Sequence, residues 1–280
     1  MSLTLKLLTI ISLLSISTFA KPATTIDEKV IKYEKKRIAS NSRYKLQDIS
    51  IYLKQEIPLK GWTGYVLQLS LNINGKDVKI KDTLFTNGTA ISQELKNVKN
   101  GKSYKDFLSP EMPESYYDDE HFIVGNKNAK NKIVIFSDPL CPFCIDYVPE
   151  VINHVNKNSK NIALYYYHFP LLRIHPASDT ITKAMIVAHK KGIKNIVSKI
   201  YSAQFEDNFE ADETNQQKIL DAVNKVLKTN ITLNQISSNK IAEQIKKDQQ
   251  LASNMLIEGT PSIFINGKVD KSRRKFEEIK

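Results

Sequence analysis

The sequence predicts two α+β domains in tandem: an antiparallel sheet carrying one helix, then a parallel strand–helix–strand nucleus followed by a long helical insert. Three observations carry this. The 280 residues exceed one average domain of about 100–200 residues. Between Tyr44 and Ile80 apolar residues recur at every second position, with Asn74-Gly75 separating two of the runs, the signature of half-buried strands joined by a tight hairpin. From Lys132 onward a continuous apolar run, a helical period and a second strand-like run succeed one another, the order of a parallel βαβ unit.

Taken in order, the chain opens with Lys6 and the apolar residues Leu7, Leu8, Ile10, Ile11, Leu13, Leu14 and Ile16, then small residues around Thr18-Phe19-Ala20. This is a secretory signal peptide pattern, residues 1–20. An uncleaved anchor is the rival reading, but the run is shorter than the ~20 apolar residues a spanning helix needs. No cysteine near residue 20 offers a lipid attachment, and no later segment is apolar enough to span a membrane. Residues 21–103 form the first domain. Thr25 and Glu28 have capping-box spacing for a helix over 24–40, with Ile26, Val30, Tyr33 and Ile38 on one face. Strands follow at Tyr44–Leu53, with a one-residue slip in the alternation that marks a bulge, at Tyr65–Ile73 and from Val78. Asn87-Gly88 is a second turn, and the sheet has three to five strands.

Residues 104–124, with Pro110, Pro113, Asp118, Asp119 and Glu120, read as a linker. The second domain spans 125–280. Lys132–Phe136 is a strand buried on both faces, residues 142–157 a helix with Tyr147, Val148, Val151, Ile152 and Val155 on its apolar side, and Ile162–Phe169 a Tyr-rich strand. Residues 176–256 are helical almost throughout. Ser262–Lys268 is a last strand and turn, and Ser272–Lys280 a closing helix. No internal repeat is present.

Composition is that of a soluble globular protein, 41% hydrophobic and 25% charged. The formal charge of +11 invites a nucleic-acid reading. Against it, only Arg37, Arg43, Arg173, Arg273 and Arg274 are arginines, the preferred bidentate phosphate binders, and the lysines are scattered. Solvated lysines account for the charge, and a basic surface favours acidic or unfolded clients. No nucleic-acid partner is expected.

The two cysteines lie in Asp138-Pro139-Leu140-Cys141-Pro142-Phe143-Cys144, where a buried strand gives way to a helix. A pair three residues apart closes almost no loop and staples nothing, so its role is redox. Pro142 suits the first helical position, which puts Cys141 at the N-cap. There the unpaired N–H groups and the helix dipole stabilise a thiolate, the attacking species in disulfide exchange. Cys144, one turn further in, is shielded yet able to attack a sulfur joined to Cys141. Zinc needs four ligands; there is no second such pair, and His154, His168, His175 and His189 do not pair at metal spacing. No metal and no cofactor are expected. His168 and His175, after the second strand, are placed to flank the site, or else serve packing.

A strand, a C-x-x-C at a helix start, a second strand, a helical insert and Gly259-Thr260-Pro261 before a last strand together resemble the thioredoxin-like pattern. Phe136–Cys144 resembles the active-site stretch of the bacterial periplasmic DsbC/DsbG family, and Gly259-Thr260-Pro261 that family's cis-proline loop. The motifs cover about residues 132–147 and 257–267; the element order covers the whole mature chain. The resemblance implies a cystatin-like N-terminal dimerisation domain and a thioredoxin-like catalytic domain. It implies Cys141 as nucleophile, Cys144 as resolving thiol in a redox-active disulfide with it, Pro261 as the cis-proline beside them, and Thr260, Pro142 and Phe143 as client-binding residues. The long insert is similar to the DsbA type, although Ile135 stands where some DsbA-like proteins keep a buried acid. Three functions follow: a homodimeric disulfide isomerase or reductase, a DsbA-like disulfide oxidase, or a holdase chaperone. Each acts on unfolded or misoxidised exported proteins in the periplasm, the first two with a membrane redox partner.

Overall fold

The computed structural model describes residues 24–280; the sequence-predicted signal peptide lies outside the described residues. The chain divides into two compact units between Leu108 and Ser109.

In the first unit Thr25 caps helix α1 (Ile26–Ala39) through a capping box: the Glu28 amide donates to its hydroxyl at 3.2 Å and its own amide donates to the Glu28 carboxylate at 2.8 Å. Strands β1 (Tyr44–Glu56), β2 (Thr63–Ile73), β3 (Lys76–Thr86) and β4 (Ile91–Ser92) form an antiparallel meander in that order. Asn74 and Gly75 both take positive φ, 51° and 83°, as the two-residue hairpin turn demands. β1 bulges twice, at Gln47 and again at Tyr52. The first bulge is the slip visible in the alternation, and it returns Ile49 and Ile51 to the face that Leu46 occupies. Val30 and Ile38 of α1 pack on Tyr65, Leu67, Leu69, Leu71 and Leu84. The fully buried Glu34 is compensated by a two-pronged bond from Arg37, which also reaches Asp82 of β3 and ties the helix to the sheet.

The second unit is built on a five-stranded sheet of order β5 (Phe122–Gly125), β7 (Ile162–His168), β6 (Asn131–Ser137), β8 (Ser262–Ile265), β9 (Lys268–Val269), with β6 and β7 parallel and the other pairs antiparallel. The continuous apolar run of β6 feeds both faces. Ile133 and Ile135 join Val148, Val151 and Val155 of α2 (Pro142–Lys157), while Val134 and Phe136 join Tyr165, Tyr167, Phe264 and Met255. The insert comprises α3 (Ser178–Lys190), α4 (Ile196–Tyr201), α5 (Gln216–Leu227), α6 (Leu233–Ile236) and α7 (Asn239–Asn254). It is broken by left-handed residues at Asn195 and Lys228. The parallel β6–α2–β7 unit, the antiparallel β8 and the insert form the arrangement that the thioredoxin-like resemblance implies.

Two segments differ from the sequence reading. Residues 109–124, inside the stretch read as a linker, are packed into the second unit. Met112 and Tyr116 lie in the core, and β5 adds an edge strand too short for its alternation to show. The closing helix over Ser272–Lys280 does not form. The Asp270 carboxylate accepts from the amides of Ser272 (2.9 Å) and Lys275 (2.9 Å), and Arg273 sits at φ 60°. A side-chain-nucleated turn therefore replaces the helix, leaving one 3₁₀ turn, Lys275–Glu278, that buries Phe276 against Tyr147.

A buried polar cluster joins this former linker to α7 and β7. His121, stacked on Tyr167 at 3.7 Å, has Nδ1 2.6 Å from Asp118 and Nε2 3.0 Å from the buried Asp248, whose other oxygen accepts from the His168 amide at 3.1 Å. Burial opposes charging His121, but the two carboxylates outweigh it and its pKa is raised. His168 is shifted the other way, down to about 4, chiefly by burial. The signs follow from linkage. A raised His121 contributes stability that is complete below the unfolded value of about 6.5 and is lost as pH climbs through the folded pKa. A depressed His168 costs stability as pH falls from about 6.5 towards its folded value. The melting temperature of the protein should therefore peak near pH 6.5, and His121→Gln should abolish the decline on the alkaline side while sparing the acid side. A melting profile unchanged by that substitution would contradict the pairing.

Candidate functional site

The motif occupies the turn between β6 and α2. The Cys141 amide donates to the Asp138 carbonyl (3.2 Å), which bends the chain out of the strand. The Cys141 carbonyl then accepts from the Cys144 and Ile145 amides at 2.8 and 3.0 Å, opening the helix. Cys141 is the N-cap, with extended backbone (φ −70°, ψ 120°), and Pro142 is the first helical residue. Both thiols are free.

The two sulfurs are held differently. Cys141 receives a hydrogen bond from the Cys144 thiol, and further ones from Thr260 and from the amides of Cys144 and Phe143. Burial opposes these, and together they pull its pKa well below the ordinary thiol range. Cys144, wholly inside, is pushed far up, by burial first and then by its bond to Cys141. Of two thiols one turn apart, one is stabilised as an anion and the other as a neutral donor to it. This pair can attack a disulfide and then expel what it has captured.

The Thr260–Pro261 bond is cis, both residues are buried, and the Thr260 carbonyl lies 3.7 Å from the Cys141 sulfur. The Thr260 hydroxyl is buried without a hydrogen-bond partner of its own, and it favours the anionic form of both thiols. The approach of this loop corrects one expectation. From sequence, Cys141 faces solvent at the helix end; in the structure it is 4% exposed and Cys144 0%, because residue 260 closes over it. What protrudes is Phe143, 71% exposed, beside the exposed Pro142 and with Leu172 and Ile174 also exposed on the loop after β7.

Of the two flanking histidines only His175 reaches the motif. Its Nδ1 lies 3.0 Å from Asp138 Oδ2, which also accepts from the Leu171 amide at 2.7 Å; Oδ1 accepts from the Leu140 amide (2.8 Å) and the Ser178 hydroxyl (2.6 Å). One fully buried carboxylate thus fixes the strand end, the loop 171–175 and the start of α3. His168 turns instead towards Tyr166. Sequence reasoning missed Ser137, Tyr166 and Tyr201, whose hydroxyls form a buried chain under Cys144. The Tyr-rich β7 is visible in the sequence, but nothing in α4 announces that Tyr201 meets it. Among the described residues no group of three or more His, Cys, Asp or Glu is placed to hold a metal ion.

Residues 118–280 match the family model described as thioredoxin. The chain is 25% identical over 156 residues to the "Probable disulfide bond formation protein D" of Bacillus anthracis, spanning 52% of this chain and 70% of that one. Among solved structures, BdbD from Bacillus subtilis (oxidised) is similar over 61% of this chain and 92% of its own, with 20% identity and a TM-score of 0.49. A putative protein-disulfide isomerase from Pseudomonas syringae is similar over 55% and 90%, with 16% identity and a TM-score of 0.47.

The split acidity is open to direct titration. Cys144→Ser should retain ultraviolet thiolate absorbance well below the free-cysteine pKa of about 8.5. Cys141→Ser should show none until well above it. Superimposable curves for the two variants would overturn the assignment of the anion to Cys141.

Proposed function

This chain belongs to the thioredoxin family and is a thiol–disulfide oxidoreductase, and we propose that it carries a Cys141–Cys144 disulfide to exported proteins and transfers it to them. The observation that carries this reading is Cys141 at the N-cap of α2 with the cis Thr260–Pro261 loop against its sulfur, a placement that favours the thiolate. Whatever stabilises the reduced form makes the disulfide a better oxidant. A client thiolate attacks Cys141, Cys144 leaves, and a second client thiol then displaces Cys141 from the mixed disulfide. Thr260 and Pro261 lie over the sulfur, and Phe143 with Pro142 offers the exposed apolar surface on which an unfolded client would rest. The disulfide-formation name of the Bacillus relative agrees with donation. So does the predicted signal peptide, which would deliver the chain to the periplasm, where a membrane redox partner would reoxidise the pair.

A second reading, isomerase or reductase of the DsbC/DsbG kind, is favoured by one feature: the first unit lies outside the family match at 118–280. A helix on an antiparallel sheet without catalytic residues would suit a cystatin-like dimerisation domain that sets two catalytic units to work on one client. Residues 24–108 would then be the dimerisation domain and residues 109–280 the catalytic domain.

One experiment in cells decides. Acid quenching followed by alkylation of the wild-type protein in the exporting compartment should find the pair mostly oxidised; a mostly reduced pair would replace donor by isomerase. In the same cells Cys144→Ala should accumulate client adducts that collapse on adding reductant, and Cys141→Ala should not. Adducts confined to Cys141→Ala would invert the roles of the two sulfurs. No adducts on either folded variant would leave the holdase chaperone in front.

A further inference from the structure

Cys144 poses a problem of charge. It is 0% exposed, yet it must be an anion twice in the cycle: as the sulfur expelled when a client takes the disulfide, and as the attacker when a mixed disulfide is resolved. A buried anion without hydrogen-bond donors is costly. The Asp138 carboxylate is already engaged by two amides, Ser178 and His175.

Beneath Cys144 lie three hydroxyls in series. Ser137, the last residue of β6, is one of three groups, with the Asp138 amide and the Thr260 hydroxyl, that favour the Cys144 anion against the burial that opposes it. Ser137 Oγ is 2.7 Å from the Tyr201 hydroxyl, and that oxygen is 2.9 Å from the Tyr166 hydroxyl. All three side chains are buried, on the paired strands β6 and β7 and on α4 of the insert. Each hydroxyl can donate and accept, and its hydrogen rotates.

We propose that the chain Tyr166–Tyr201–Ser137 is a reversible donor relay for Cys144, with Ser137 a catalytic residue and the two tyrosines positioning residues acting through it. When Cys144 is a thiol, it has a hydroxyl oxygen beside it. When it is a thiolate, Ser137 turns its hydrogen to the sulfur, Tyr201 donates to Ser137 and Tyr166 donates to Tyr201, each bond strengthening the next. No charged side chain is needed, and no proton crosses the chain. In resolution, the Cys144 S–H bond breaks, its electron pair forms a bond to the Cys141 sulfur, and the bond from Cys141 to the client sulfur breaks. The client thiolate takes up the proton. The two enzyme sulfurs end oxidised and the client cysteine reduced. Donation of the disulfide runs the first step backwards, with Cys144 as the leaving group.

This rests on Cys144 being the resolving sulfur, and the test separates the two. The Cys141–glutathione mixed disulfide is formed on the purified full protein, and glutathione release is followed against pH. In parallel, its rate of formation reports Cys141 alone. Cys144→Ala must block release; if it does not, the resolving assignment fails whatever the hydroxyls do. Given that block, Ser137→Ala and Tyr201→Phe should each slow release roughly tenfold or more, the loss expected for a hydrogen bond to a charged group. The pH midpoint of release should move upward, the ratio of formation to release should rise, and Ser137→Thr should restore release. Tyr201→Phe keeps the ring and its packing, so it decides should Ser137→Ala fold poorly. Release at the wild-type rate and pH midpoint in Tyr201→Phe, or formation and release slowed in equal proportion, would overturn the proposal.

Discussion

A sulfur buried without exposure one turn inside a helix cannot easily carry charge, and a sulfur at that helix's N-cap gains from carrying it; the rest of the site is arranged around this inequality between Cys144 and Cys141. Pro142 starts the helix immediately after Cys141 and lets Cys144 fall on its inner side, where Val148 and Val151 continue the apolar stripe. The Thr260 loop then closes over Cys141 from the opposite side. The pair is thereby held in a low-dielectric pocket in which each hydrogen bond counts for more than it would in water.

The second fixed point is Asp138. Four donors from β6's exit, the 171–175 loop and the first turn of α3 converge on one buried carboxylate. It locks the strand end that presents the sulfurs to the insert that supplies Tyr201. An equivalent knot lies further from the sulfurs, where Asp248 of α7 joins His121 to the β7 amide. Polar groups buried at such junctions are paid for only when fully paired, and both carboxylates are. The insert is therefore not an appendage. It completes the hydrogen bonding at the C-terminal end of both strands of the pair on which the chemistry sits.

Much of this can be read from the chain itself, and what cannot has physical reasons. Strand β6 and helix α2 announce themselves because one is apolar on both faces and the other has a strong stripe. Their junction is marked by Pro142, which has few other places to be. The Asn74-Gly75 hairpin is visible because its conformation restricts residue choice. β5 is hidden because four residues carry too little alternation. The absent closing helix is decided by a single carboxylate, Asp270, competing for backbone amides. The burial of Cys141 depends on a loop 119 residues away in sequence, and the hydroxyl chain on Tyr201, 64 residues from Ser137. Pairings of that span leave no local period.

Stabilisation of the reduced pair through the Cys141 thiolate is measured directly by the reduction potential of the Cys141–Cys144 couple. Equilibrated against glutathione at neutral pH, the couple should be markedly more oxidising than thioredoxin's value of about −270 mV. Cys141 anion stabilisation should show as a potential that falls less steeply with rising pH across the neutral range than that of an ordinary dithiol, because reduction then takes up about one proton fewer. A potential at or below about −270 mV at neutral pH would contradict the claim that this fold stores its disulfide for donation.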